Sequence, residues 1–244
     1  NQITKIKGLP ESLQKFYCSD NQITKLPPKG VLPESLQRFD CTCNQITKIE
    51  NLPENLQYFD CRWNKITKIE GLPENLQEFY CESNQITQIE NLPGSLQQFY
   101  CWNNQITHIK GLPKSLQVFD CRSNQITKIE GLPENLQKFY CEVNQITKIE
   151  NLPRGLVYID FCGNPIEYID NLPYKWYQER FGEFNLKFYN IIKRLQRRIR
   201  IRCKRNKAAR TIQQGCHNWI WKPICKDNTI GIRPRLDMKA LGIT

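Results

Sequence analysis

No run of apolar residues in this 244-residue chain approaches the ~18 needed to cross a bilayer, so no transmembrane helix is expected. The N-terminus lacks the charged, apolar and small-residue regions of a signal peptide. It begins inside a repeat, Asn1-Gln2-Ile3-Thr4-Lys5-Ile6, without Met, which reads as a fragment or a trimmed chain. No Asn-x-Ser/Thr acceptor occurs although Asn is abundant. Cys203, Cys216, His217 and Cys225 contain no Cys-x-x-Cys pair, so zinc-ligand spacings are unmet. There is no phosphate-binding Gly loop and no pairing of a nucleophile with a base, and His108 stands in a column of mostly Lys as an expected surface residue. The reading that follows is non-catalytic, with no cofactor and no metal.

Cysteine, by contrast, is plentiful. Twelve would suggest a disulfide scaffold in a small secreted protein. Their placement argues otherwise: Cys41, Cys61, Cys81, Cys101, Cys121 and Cys141 recur every 20 residues, with Cys18 one longer repeat earlier. A residue returning once per repeat at an apolar position is a core rung, and a thiol packs as a small hydrophobe. A reducing, intracellular location is expected, cytoplasm or nucleus.

The same period governs the rest of residues 1–173. Leu-Pro pairs recur from Leu9 to Leu172, the first interval being 23 residues and every later one 20. Between them lie units such as Leu56-Gln57-Tyr58-Phe59-Asp60-Cys61-Arg62-Trp63-Asn64-Lys65-Ile66. Eight are complete, beginning at Leu13, Leu36, Leu56, Leu76, Leu96, Leu116, Leu136 and Leu156. They fit the template L-x-x-L-x-L-x-x-N-x-L with Phe and Cys in the central apolar slots. This predicts a leucine-rich-repeat solenoid: a curved parallel sheet on the concave side, and an extended or polyproline-like convex side because 20 residues leave little room for a return helix. The Asn column from Asn21 to Asn164 should satisfy backbone groups where each strand ends. The extra residues around Pro27-Pro28-Lys29-Gly30 should bulge from the convex side.

The run Asn64 to Cys81, Asn-x-Ile-Thr-x-Ile-x-x-Leu-Pro-x-x-Leu-x-x-Phe-x-Cys, resembles the short leucine-rich repeats of bacterial secreted effectors. There the pattern is Asn-x-Leu-Thr-x-Leu-Pro-x-Leu-Pro-x-x-Leu-x-x-Leu-x-Val. Thr24-Lys25-Leu26-Pro27 keeps the first Pro, which other repeats replace, usually with Glu. The Phe/Cys substitution is similar to repeat proteins of giant DNA viruses. The resemblance implies binding to host proteins inside a host cell. Some such effectors carry a large ubiquitin-ligase domain, for which the residues after the repeats are too few.

Columns within the chain differ in how much they vary. Thr47, Thr67, Thr87, Thr107, Thr127 and Thr147 are constant, and Glu recurs at Glu50, Glu70, Glu90, Glu130 and Glu150. The columns flanking the strand change freely, and between Phe and Cys stands only Tyr or Asp. Neutral drift would scatter both sets, so a partner surface is expected on the concave face. Its candidates are Tyr58, Asp60, Arg62, Trp63, Tyr80, Glu82, Tyr100, Trp102, Asp120, Arg122 and Tyr140. Trp, Tyr and Arg dominate interface hot spots, which makes Trp63, Trp102, Tyr80, Tyr100, Arg62 and Arg122 the best anchors.

Composition shifts after Pro173. Residues 174–244 hold 18 Lys and Arg against 4 Asp and Glu, whereas the repeats hold 17 against 20. Residues 174–184 read as a cap, with Trp176, Tyr177, Phe181 and Phe184 covering the solenoid end. From 185 to 244 the pattern reads as a basic amphipathic helix and a small terminal module. Lys193, Arg194, Arg197, Arg198, Arg200, Arg202, Lys204 and Arg205 form its polyanion-binding candidates. Nucleic acid or another polyanion, a nuclear-localisation signal, a plain capping helix, and a calmodulin-like or membrane-surface target stay open as readings of this tail. The leading expectation is a protein-interaction scaffold or adaptor; the alternative is a nucleic-acid-associated protein working through the tail.

Overall fold

The computed structural model describes residues 1–166 and the strand Tyr168–Ile169. The cap at 174–184, the basic helix and module at 185–244, and the polyanion candidates lie outside the described residues. Twelve short strands follow one another: β1 Lys15–Tyr17, β2 Arg38–Asp40, β3 Tyr58–Asp60, β4 Glu78–Tyr80, β5 Gln88–Ile89, β6 Gln98–Tyr100, β7 His108–Ile109, β8 Val118–Asp120, β9 Lys138–Tyr140, β10 Lys148–Ile149, β11 Tyr158–Asp160 and β12 Tyr168–Ile169. Eight of them form one parallel sheet in the order β1-β2-β3-β4-β6-β8-β9-β11, one strand per repeat. The rest make two small parallel pairs, β5 with β7 and β10 with β12. The convex side is thus extended as expected, and partly paired as well.

Identical repeats place identical residues in register, so each core column becomes a stack. Phe16, Phe39, Phe59, Phe79, Phe99, Phe119 and Phe139 stack with centroids 5.5–5.7 Å apart. Leu56, Leu76, Leu96 and Leu116, and the Cys column from Cys41 to Cys141, are fully buried beside them. Burying one such Leu or Phe stabilises by roughly 1.5–3 kcal/mol, and a single repeat has nothing of its own to bury it against. The column's thiols belong to this core, and Cys18, Cys41, Cys43, Cys61, Cys81, Cys101, Cys121 and Cys141 form no disulfide.

The Asn column closes the turn after each strand. Asn104 donates from Nδ2 to the Cys81 and Cys101 carbonyls at 3.0 Å, and its Oδ1 accepts the Ile86 N–H at 3.0 Å. Each Asn therefore ties two turns together through backbone groups that would otherwise be buried unpaired.

Each coil returns through a tight turn after its Pro. The Pro53 carbonyl accepts the Leu56 N–H at 3.2 Å, and Pro93 does the same for Leu96 at 3.2 Å. Just before seven of the Leu-Pro pairs the chain passes through left-handed backbone at Gly8, Asn51, Gly71, Asn91, Gly111, Gly131 and Asn151, with φ between 53° and 67°. Only Gly and Asn stand there, as the sterics of that region favour. In the long repeat a second turn, Pro28 to Val31, absorbs the extra residues on the surface while Leu26, Pro27 and Leu32 stay buried. Among the described residues no helix is long and apolar enough to cross a membrane.

Candidate functional site

The parallel register lines the strand-flanking columns into rows across the concave sheet. One row holds the last residue of each of its strands: Tyr17, Asp40, Asp60, Tyr80, Tyr100, Asp120, Tyr140, Asp160. Two residues on runs a second row: Thr42, Arg62, Glu82, Trp102, Arg122, Glu142.

The alternation of Asp with Tyr in the first row has a local cause. Asp40, Asp60, Asp120 and Asp160 each accept, through Oδ1, the N–H two residues ahead, at 2.9–3.2 Å. Such an Asx turn suits a strand end. Tyr cannot make it and stacks on its neighbours instead: Tyr80 and Tyr100 lie 4.9 Å apart and 5° from parallel, and Tyr58 packs tilted on Tyr80 at 5.1 Å.

The expectation that Asp60 and Asp120 offer themselves to a partner is corrected by their burial. Asp60 is 0% exposed and Asp120 is 1% exposed. The reason is that each is already occupied by an arginine. Arg62 donates from Nε to Asp60 Oδ1 and Oδ2 at 2.9 and 3.0 Å and from Nη2 to Oδ2 at 2.6 Å; Arg122 repeats these contacts on Asp120 at the same distances. Thr42 Oγ1 adds a bond to Asp60 at 2.9 Å. Hydrogen bonds to these carboxylates hold both guanidinium groups protonated. Arg62 also lies over the Trp63 and Tyr80 rings at 5.4 and 5.7 Å, and Arg122 over Tyr140 at 5.4 Å.

Glu82 likewise departs from the expected exposure. Its residue is 3% exposed, in the second row between Arg62 and Trp102. Its Oε2 has no hydrogen-bond partner, and neither does Oε2 of Glu142, three repeats on. The Arg122 Nε stands 4.0 Å from the latter, close enough to attract but too far to bond. Burial, the main cause, pushes each carboxyl from an ordinary 4.5 up to about 7. The same desolvation raises Tyr80, Tyr100 and Tyr58, the last to about 12.

The remaining candidates are reachable. Tyr58, Tyr80, Tyr100, Trp102 and Tyr140 are half-buried, and Trp63 is 46% exposed. Trp63 also stands in the residue column that precedes each ladder Asn, which the structure places wholly in left-handed backbone. It reads Asp20, Cys43, Trp63, Ser83, Asn103, Ser123, Val143 and Gly163, with φ between 50° and 72°. Val143 in this column is 59% exposed and was not among the sequence candidates. The signal that could have found it is a β-branched residue where three sister repeats carry Asp, Asn or Gly.

A family model described as leucine-rich repeats in two copies matches residues 11–54. No curated protein matches by sequence. Among solved structures, YopM from Yersinia enterocolitica aligns with a TM-score of 0.58 and 28% identity over 72% of this chain and 43% of that one. YopM from Yersinia pestis, a leucine-rich effector protein, aligns at 0.50 and 23% over 72% of this chain and 62% of that one. A Shigella effector leucine-rich-repeat domain aligns at 0.51 and 22% over 56% and 61%. This chain spans less than two thirds of each of these structures. The fold is a leucine-rich-repeat solenoid of the kind that bacterial effectors carry, a fold that commonly mediates protein–protein contact.

Proposed function

We propose that this leucine-rich-repeat protein is a non-catalytic scaffold that holds a partner protein on its concave face, with Trp63, Trp102, Tyr80 and Tyr100 as the main contacts. One observation carries the reading. The chain has two left-handed columns, and they obey different rules. On the convex side only Gly and Asn occur, which is what local sterics favour. In the column beside the concave sheet the same backbone carries Trp63 and Val143, large, apolar and exposed. A side chain kept in a costly conformation, at a place where it does not help the core, suggests use by something outside the chain. The Arg62 and Arg122 clamps support this by holding planar groups rigidly against aromatic rings, which lowers the entropy lost on binding.

The likeness to effector repeats makes a host protein, met inside a host cell, the first partner class to test. The experiment is affinity capture with the full chain, followed by binding measurements on the captured protein. Trp63→Ala and Trp102→Ala should each weaken binding by roughly 1–3 kcal/mol. Thr67→Ala and Glu70→Ala, on the convex side, should leave it unchanged. Convex substitutions that abolish binding while both Trp variants are silent would overturn the reading.

A further inference from the structure

We infer that the concave face, if it is the binding surface proposed above, takes a stretch of basic polypeptide in extended conformation, laid across the strands with two cationic side chains four residues apart seated at Glu82 and Glu142. The first support is the pair of acceptors. Glu82 is 3% exposed, and its Oε2 receives no hydrogen bond. The same oxygen of Glu142 lacks one too. A buried acceptor without a donor is costly, of order 1–3 kcal/mol. Finding it twice, at one atom of one column, points to a donor supplied from outside.

The arginines next to them do not fill that role. Arg62 gives Nε and Nη2 to Asp60, and Arg122 gives the same atoms to Asp120. Each constellation therefore sets two carboxyl groups against one guanidinium, and an ammonium or guanidinium group from a partner completes it. The row neighbour Trp102 is partly exposed, so a change of its rotamer admits the incoming group while Arg62 stays on Asp60. The stacked rings of Tyr80 and Tyr100 offer the apolar stem of a Lys or Arg a surface to lie on.

Spacing sets the shape of the ligand. Three strand intervals at ~4.8 Å separate the two glutamates by ~14 Å. An extended chain rises ~3.4 Å per residue and returns to the same face every second residue, so positions i and i+4 match this distance and this face together. A helix does not: ~14 Å along its axis is ~9 residues, which lies off the face of the first.

Binding should be linked to a proton. The charged groups around Glu82 are Arg62, Asp60 and Asp120, and those around Glu142 are Arg122, Asp120 and Asp160. An incoming cation favours the ionised carboxylate, so affinity should climb as pH rises through about 7 and level off above it.

The test uses the full chain and fluorescent Gly/Ser decapeptides carrying two Arg at i,i+3, at i,i+4 or at i,i+5, read by anisotropy. The i,i+4 peptide should bind about tenfold tighter than the others, and about tenfold tighter at pH 8 than at pH 6. The double variant Glu82→Gln, Glu142→Gln should lose both preferences while melting no lower than wild type. Equal binding of all spacings, or binding indifferent to pH and to the double variant, overturns the inference. A captured partner that depends on Trp63 and Trp102 while no Arg peptide binds would leave the concave-face reading standing and remove this one alone.

Discussion

Glu82 and Glu142 give the repeats a pH-dependent stability that can be measured without any partner. Each carboxyl sits at about 7 in the fold against 4.5 in an ordinary setting. A raised acid binds more protons folded than unfolded, so stability falls as pH rises from about 4.5 and stops falling above about 7. At ~1.4 kcal/mol per unit, Glu82 withdraws about 3 kcal/mol across that window. Glu142, with 19% of its side chain exposed, should withdraw less. For a chain of this size about 1 kcal/mol moves the melting temperature by 2–4 °C, so the drop from pH 5 to pH 8 should reach about 5–10 °C. Glu82→Gln keeps the shape and removes the charge. The variant should match wild type near pH 5, melt higher at pH 8, and flatten further when Glu142→Gln is added. Comparing variants at each pH cancels the titration of all other groups. Equal pH dependence in wild type and double variant would refute the assignment of buried, half-satisfied carboxyls.

Asn104→Ala should destabilise the chain by about 3 kcal/mol in urea unfolding, because the Cys81 and Cys101 carbonyls and the Ile86 N–H lose their partner together; a change under about 0.5 kcal/mol would mean that water replaces the amide. In native buffer the Cys column from Cys41 to Cys141 should react slowly with thiol reagents, since burial pushes these thiols far above their usual range and Cys18 to about 12. The unfolded, unreduced chain should then titrate most of its twelve cysteines, and finding five or six disulfides would refute the core assignment. Trp63→Asn and Val143→Asn should each raise stability by about 1 kcal/mol by relieving left-handed strain, an outcome that lowered melting temperatures would contradict.

The repeat itself was legible because its physics is periodic. Phe, Cys, Leu and Asn return at fixed intervals, and parallel stacking turns each interval into a column; the Asn ladder and the thiol core could be read before any coordinates. The exposure of the concave row could not. Asp60 and Tyr80 occupy the same position in their repeats, and a column that admits both reads as variable surface. Only the structure shows two different devices there, an Asx turn that draws Arg62 down over the carboxylate and a stacked ring. The burial of Glu82 arises in a row whose nearest members, Arg62 and Trp102, are 20 residues away on either side. No local pattern announces it.

Stacking also creates an order that a single repeat cannot contain. The second row reads Thr42, Arg62, Glu82, Trp102, Arg122, Glu142, and in it the Arg-Glu pair returns after three turns, a longer period laid over a period of one. The longer period has no role in the core, where every turn needs the same Phe, Leu and Cys. Random change along these two rows would have no reason to restore Asp with Arg on one turn, and Tyr with Glu on the next, after an interval of 60 residues. A ligand that touches the sheet at two points ~14 Å apart gives one. If that is the cause, the two constellations should act together: Glu82→Gln and Glu142→Gln should each weaken a bivalent Arg peptide, and the loss from both should be smaller than the sum of the separate losses. Additive losses would mean that each glutamate binds alone and that the three-turn period has another origin.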